Sequence, residues 1–244
     1  MINAELLVPG DYDATLHFCI EHFITTCRDA IQDHGQFFVA LSGGSTPKAI
    51  YEVLCQPQYS SEIEWSKIHL FWSDERSVLP TDPDSNYRMA MKAGFEKMLL
   101  LPEHIHRMEA ETDIEKHALN YEKKILKILN GQCFDLVMLG MGEDGHTASL
   151  FPETEGLKAL EKSRGRLVIA NHVPQKNTWR MTLTFDCIND AAHTVFYVMG
   201  KSKAEMMARV FTEKPVLPCQ KVGTPDNPAL WIADEAAASL IPNQ

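Results

Sequence analysis

A histidine placed two residues after an aspartate, in the run Gly140-Met141-Gly142-Glu143-Asp144-Gly145-His146-Thr147, is the segment of this chain best suited to moving a proton. Imidazole titrates near neutrality, and a neighbouring carboxylate fixes its tautomer and stabilises its charged form. The glycines around Asp144 and His146 let the backbone turn tightly at the end of an apolar run. A histidine in a turn is commonly just a solvated side chain, and His146 is one of ten, so its weight comes from what accompanies it. No serine stands in a G-x-S-x-G setting, which argues against a serine nucleophile.

The second segment is Leu41-Ser42-Gly43-Gly44-Ser45-Thr46-Pro47-Lys48. An apolar run enters a glycine turn, and Thr46-Pro47 reads as an N-cap followed by proline at the first helical position. Free N–H groups and the helix dipole at such a place favour an anion. The spacing G-x-x-x-x-G-K-[ST] is absent, as is G-x-G-x-x-G, so a simple phosphate ester fits better than a Mg-nucleotide. The third segment, Ser73-Asp74-Glu75-Arg76, has an acid, a base and an anion clamp in succession and is followed by Asp84-Ser85-Asn86-Tyr87; Asp74 and Asn86 are further site candidates. Arg180 and Lys203 complete the set as phosphate partners, Lys203 because a cation near a helix N-terminus is unfavourable unless an anion is bound there.

Metal chemistry finds no pattern. Asp82-x-Asp84-x-Asn86 imitates the opening of an EF-hand loop, but Tyr87 stands where glycine is required and Ala93 where the bidentate glutamate belongs. His104 and His106 flank Ile105 without an H-E-x-x-H or a Cys/His quartet. The other seven histidines, His69 among them, read as surface or partly buried residues.

These segments need a frame that brings their ends together. Apolar runs predict strands at 37–41, 68–73, 134–139, 166–170, 180–185, 194–199 and 229–233, with helices over 14–31, 47–55, 86–100, 113–130, 201–212 and near 234–240. Residues 77–85 read as a loop. Strands alternating with helices through short connections indicate an α/β fold with a mostly parallel sheet, in which ligands sit beyond the carboxyl ends of the strands. All three segments fall at such ends. No repeat or long linker divides the chain, so residues 1–244 are expected to form a single domain.

Composition narrows the function classes. Of 244 residues, 23 are Lys or Arg and 33 Asp or Glu, a net charge of −10, which argues against broad nucleic-acid binding through clustered cations. Six scattered cysteines without a C-x-x-C pair read as inert thiols of a reducing compartment. The N-terminus lacks a signal-peptide pattern and no run approaches the ~20 apolar residues of a membrane span. A soluble, cytoplasmic protein is expected, monomeric or weakly self-associating.

Taken in order, Leu41 to Pro47, Ser73 to Arg76 with Asp84 to Tyr87, Gly140 to Pro152 and the tail Trp231 to Ala238 resemble the 6-phosphogluconolactonases, over residues 37–239. That family belongs with the glucosamine-6-phosphate deaminases in a Rossmann-like α/β superfamily, and the resemblance implies a three-layer fold. It implies hydrolysis of 6-phospho-D-glucono-1,5-lactone to 6-phospho-D-gluconate, a step of the oxidative pentose phosphate pathway, with no metal or organic cofactor. Ser42, Gly43, Gly44, Ser45 and Thr46, with Arg180 and Lys203, would hold the 6-phosphate. His146 would take a proton from the attacking water, Asp144 would orient the ring, and Arg76 would stabilise the oxyanion or place the ring oxygens. Lys201 competes with Lys203 for its role. The deaminases resemble the chain in the glycine loop and the Asp-Gly-His segment but carry a glutamate five residues after that histidine, where this chain has Phe151, and a tyrosine in place of Arg76. The lactonase reading therefore ranks above the deaminase. A sugar-phosphate sensor without catalysis comes third.

Overall fold

The computed structural model describes residues 2–162, 165–214 and 216–242. Among these, the strands are β1 (Ala4–Leu7), β2 (Phe37–Leu41), β3 (Ile68–Trp72), β4 (Asp74–Arg76), β5 (Leu136–Leu139), β6 (Val168–Val173), β7 (Thr178–Leu183), β8 (His193–Val198) and β9 (Ala229–Ala233). The α-helices are α1 (Tyr12–His34), α2 (Ser45–Leu54), α3 (Pro57–Ser60), α4 (Asn86–Ala93), α5 (Ile114–Leu129), α6 (Glu155–Lys162), α7 (Phe185–Asn189), α8 (Ala204–Thr212) and α9 (Glu235–Ala238).

Six strands make one parallel sheet in the order β1-β9-β8-β5-β2-β3. Every residue of β2, β5 and the edge strand β3 is buried, the pattern of a parallel sheet covered on both faces. Phe37 to Leu41 can therefore be apolar throughout, with none of the alternation a half-exposed strand would need. Phe23 of α1 meets Phe37 edge-on with ring centroids 5.5 Å apart, and Trp231 of β9 stacks on Phe196 of β8 at 3.8 Å. The α/β, Rossmann-like, mostly parallel architecture expected from the sequence is the one observed.

The strand order also says where a ligand belongs. From β2 the chain steps outward to β3, then returns to place β5 on the other side of β2, followed by β8, β9 and β1. The direction of winding thus reverses between β2 and β5, and in open parallel sheets the crevice at that switch point receives the ligand. The glycine loop leaves β2 there, and the Asp144–His146 loop leaves β5.

Four local expectations need correcting. Residues 74–76 form the strand β4, paired antiparallel with β7 (Asp74↔Thr182, Glu75↔Met181, Arg76↔Arg180); three charged residues carry no apolar signal, and only the partner strand makes them β. The strands expected at 166–170 and 180–185 exist as β6 and β7, but they belong to this second, antiparallel sheet, ordered β4-β7-β6. Thr46 is not the N-cap of α2: the helix begins at Ser45, and Gly44 precedes it with φ +104° and no side-chain cap bond, a backbone region that favours glycine. The helix expected over 86–100 ends at Ala93, where Gly94 takes a positive φ and a short 3-10 turn, Phe95–Lys97, follows. The sequence reading missed β1, α3, α6 and α7, which are short.

Candidate active site

Three strand ends converge on one cleft of about 580 Å3, within the usual size for small-molecule sites. Ser42 to Thr46, Asp74, Arg76, His146, Arg180 and Lys203 all line it. Of the residues proposed from sequence, Asn86 and Asp144 do not line it but each holds a residue that does, and Glu75 and Lys201 lie off it.

At the end of β2, Tyr51 of α2 reaches back: its hydroxyl accepts from Ser42 N at 3.0 Å and donates to Ser42 O at 2.9 Å. Those bonds satisfy a buried amide and carbonyl just where the sheet ladder ends. Gly43 lies against Asn86, whose Oδ1 would be 2.0 Å from any Cβ there, so only glycine admits this contact. With no side chain capping α2, its first N–H groups remain available to an anion.

At the end of β5, Asp144 Oδ1 accepts from His146 N at 3.1 Å and sits 2.5 Å from His146 Nδ1. Burial pushes the Asp144 carboxyl up, but its hydrogen bonds to the His146 ring and backbone outweigh this and leave it below the usual carboxylate value. An ionised carboxylate can only accept, so the ring proton sits on Nδ1. Nε2 then carries the lone pair and has no hydrogen bond to any described residue. The ring is stacked on Phe151, centroids 3.8 Å apart and planes at 20°.

The opposite wall comes from the small sheet. Arg76 and Arg180 stand directly across the β4–β7 pair, a position where like charges repel. Both Nε atoms are buried without a partner, and Arg76 Nη1 donates to Asp84 O at 2.6 Å. Burial, and then the charge of Arg76, hold Arg180 below its ordinary value against the pull of Asp74, Glu75 and Asp84. Two apposed guanidiniums with unused donors suit an incoming anion. Asp74 is buried on this wall: Oδ1 accepts from Asn86 Nδ2 at 3.1 Å and Oδ2 from Ser149 Oγ at 2.5 Å. Lys203 sits in a 3-10 turn just before α8, and its amine donates to Met141 O at 2.7 Å, which ties it to the His146 loop. Lys201 is exposed and does not line the cleft.

Glu75, read from sequence as part of an acid–base–clamp trio, plays another part. It is buried off the cleft and accepts from Arg76 N, Ser85 Oγ, Asn86 N and Tyr87 N at 2.7–3.0 Å. Burial raises its pKa, with those donors pulling the other way. It ties β4 to the start of α4, which positions both Arg76 and Asn86. The cleft also gains Lys176 and Thr178, beside the β6–β7 turn, and Ser149; the first two belong to no motif, and only the pairing of β7 with β4 brings them in. Among the described residues, no group of three His, Cys, Asp or Glu side chains is placed to hold a metal ion.

Similarity to known proteins runs over most of the chain. The family model described as glucosamine-6-phosphate isomerases/6-phosphogluconolactonase matches residues 10–231. The chain is 39% identical to a 6-phosphogluconolactonase of Chlamydia trachomatis over 93% of its own length and 86% of the relative's. It is 35% identical to one from a Nostoc species, over 94% and 95% of the two chains. The solved 6-phosphogluconolactonase of Trypanosoma cruzi superposes with a TM-score of 0.85 at 25% identity, covering 98% of this chain and 97% of that one. With its residues matched from α1 to β9, the chain belongs to the family of glucosamine-6-phosphate isomerases and 6-phosphogluconolactonases.

Proposed function

We propose that this protein is a 6-phosphogluconolactonase, hydrolysing 6-phospho-D-glucono-1,5-lactone to 6-phospho-D-gluconate in the oxidative pentose phosphate pathway. The observation that carries the reading is the His146–Asp144 pair, with its free Nε2, in a cleft whose facing wall bears two unneutralised arginines. The full-length similarity to enzymes of that name supports the substrate.

In the mechanism, the 6-phosphate is held by the N–H groups and hydroxyls of Ser42 to Thr46, by Arg180 and by Lys203. His146 Nε2 takes a proton from a water that attacks the lactone carbonyl, and Asp144 steadies the imidazolium that forms; as the tetrahedral intermediate collapses the ring acyl–oxygen bond breaks and the proton passes to the leaving ring oxygen, giving the open-chain acid. Arg76 stabilises the developing oxyanion or places the ring oxygens. The lactone is an activated ester, so no covalent nucleophile is required. For a deaminase, Phe151 supplies no carboxylate beside the ring, which leaves that acid–base set incomplete.

The cleft joins the large and small sheets, which supports reading residues 1–244 as one domain; we infer that it works as a monomer or weak homo-oligomer. None of the six cysteines is in a disulfide, which favours a reducing, cytoplasmic setting. Among the described residues no helix is long and apolar enough to cross a membrane.

The test is hydrolysis of freshly generated 6-phosphogluconolactone above its spontaneous rate, with EDTA present, by the wild type and His146→Ala. The substitution should cost about 10²–10⁴ in rate, the range for loss of a general base. Ammonia release from glucosamine 6-phosphate, with background lactone hydrolysis, would transfer the chain to the deaminases. Neither activity in a folded protein would leave a binding module.

A further inference from the structure

The imidazole of His146 is held by two neighbours. The Phe151 ring lies against its face at 3.8 Å and 20°. The Gly142 backbone approaches the Nδ1–Cε1 bond so closely that a Cβ there would stand 2.1 Å from both atoms. Gly142 is itself fixed, its N–H donating to His146 O at 2.9 Å. Phe151 is buried, and its carbonyl accepts from Thr154 Oγ1 at 3.0 Å; Thr154 Oγ1 in turn accepts from the buried Asn171 Nδ2 at 3.2 Å. Asn171 Nδ2 also donates to Ser149 O at 2.9 Å, so the turn carrying Phe151 is anchored to β6 at two points.

Asp144 alone does not explain this arrangement. One hydrogen bond at Nδ1 leaves the ring free to swing about that bond, carrying Nε2 along an arc. The Phe151 ring flat on one face, with the Gly142 backbone tight against the Nδ1–Cε1 bond, removes the swing and leaves one ring plane. We propose that Phe151 is a positioning residue: with Gly142 it clamps the imidazole so that Nε2 stays aimed at the attacking water. This rests on the reading of His146 as general base. Phe151 touches the catalytic ring and takes no proton, so its contribution is to kcat through geometry. A displacement of order 1 Å at a reacting group can cost about 10²-fold.

The experiment compares Phe151→Leu, Phe151→Tyr and His146→Ala in lactone hydrolysis, with thermal unfolding and 15N spectra of the histidine rings. Leucine keeps an apolar side chain of similar size but has no flat face; tyrosine keeps the face. Phe151→Leu should lower kcat about 10- to 100-fold with KM within about threefold, while Phe151→Tyr stays within about threefold of wild type. The wild-type His146 spectrum should show one fixed neutral tautomer, Nδ1–H, and Phe151→Leu a mixture. Adding Phe151→Leu to His146→Ala should cost nothing further, since the two act as a unit. A folded Phe151→Leu enzyme with wild-type kcat, or equal losses for Leu and Tyr, overturns the clamp. A fully active His146→Ala overturns the general-base reading itself, so the two failures are told apart.

Discussion

One imidazole and a cluster of three sit at opposite ends of the same parallel sheet, and their surroundings are opposite in kind. His146 stands beyond the carboxyl end of β5, partly exposed, with a carboxylate on Nδ1 and water within reach of Nε2. At the amino end of the sheet, His69 of β3 stacks on His104 with centroids 3.6 Å apart, and its Nδ1 is 3.1 Å from His106 Nε2. Among the described residues no carboxylate is paired with these rings. Burial, then the charge of His104, push His69 down to about 4; burial, His69, Lys124 and His104 push His106 down to about 3. One ring has a carboxylate behind it and an open cleft before it, while the others are packed against one another, with His69 and His106 pushed away from carrying charge. The identity of the side chain says little; its partner and its access to water decide.

That contrast can be broken first at the catalytic end. Gly142→Ala places a methyl inside the imidazole, so the ring must leave its position; lactone hydrolysis should fall about 10²–10⁴-fold, as if the base were absent, with an unchanged circular-dichroism spectrum. Asp144→Asn keeps the shape but exchanges a charged acceptor for an amide, and should cost about 10²-fold in kcat, with the acid limb of the pH–rate profile moved. Retention of full activity by either variant would mean that the partner of His146 does not matter.

The stacked end predicts the reverse, stability effects without catalytic ones. His69 and His106 bind protons near 6.5 when unfolded and near 4 and 3 when folded. Their contribution is therefore fully present above pH 6.5 and is lost as pH falls from there toward 4, because the unfolded chain binds the protons first. The urea midpoint should decline over that window, and His69→Phe should flatten the decline while leaving kcat at pH 8 unchanged. A steeper decline in the variant would remove His69 from the cause. His22, buried beside Tyr197 and pushed down to about 4 by burial and His193, adds a background of the same sign. The smallest effect belongs to His104→Ala, which removes one ring of the stack at a cost of about 0.5–1.5 kcal/mol at pH 8. Calorimetry would read it against an unaltered rate.

The convergence of loops on the cleft was legible in the sequence for a reason that the stacked end lacks. Ser42 to Thr46 and Asp144 to His146 occupy glycine turns at the ends of fully apolar runs, so type and position are both local signals. His69 and His106 are 37 residues apart in the chain, and nothing in either segment announces the other. The same limit explains β4, whose three charged residues become a strand through β7, and Lys176 and Thr178, which reach the cleft through the β6–β7 hairpin. Periodicity found β6 and β7 but could not say which sheet they would join, because pairing is a long-range property. Asn86, proposed as a site residue, proves to act one step back, against Gly43 and Asp74.

The apposition of Arg76 and Arg180 has a consequence for the life of the enzyme between turnovers. A free molecule keeps two cations opposed on adjacent strands with donors unused, so part of its folding stability is withheld until an anion arrives. A phosphate ester bound at the proposed site would relieve that repulsion, and by mass action the folded state would gain RT ln(1 + [L]/Kd). Heat tolerance should therefore track metabolite supply: a cell rich in sugar phosphates holds a sturdier enzyme than a starved one, with no change in the polypeptide.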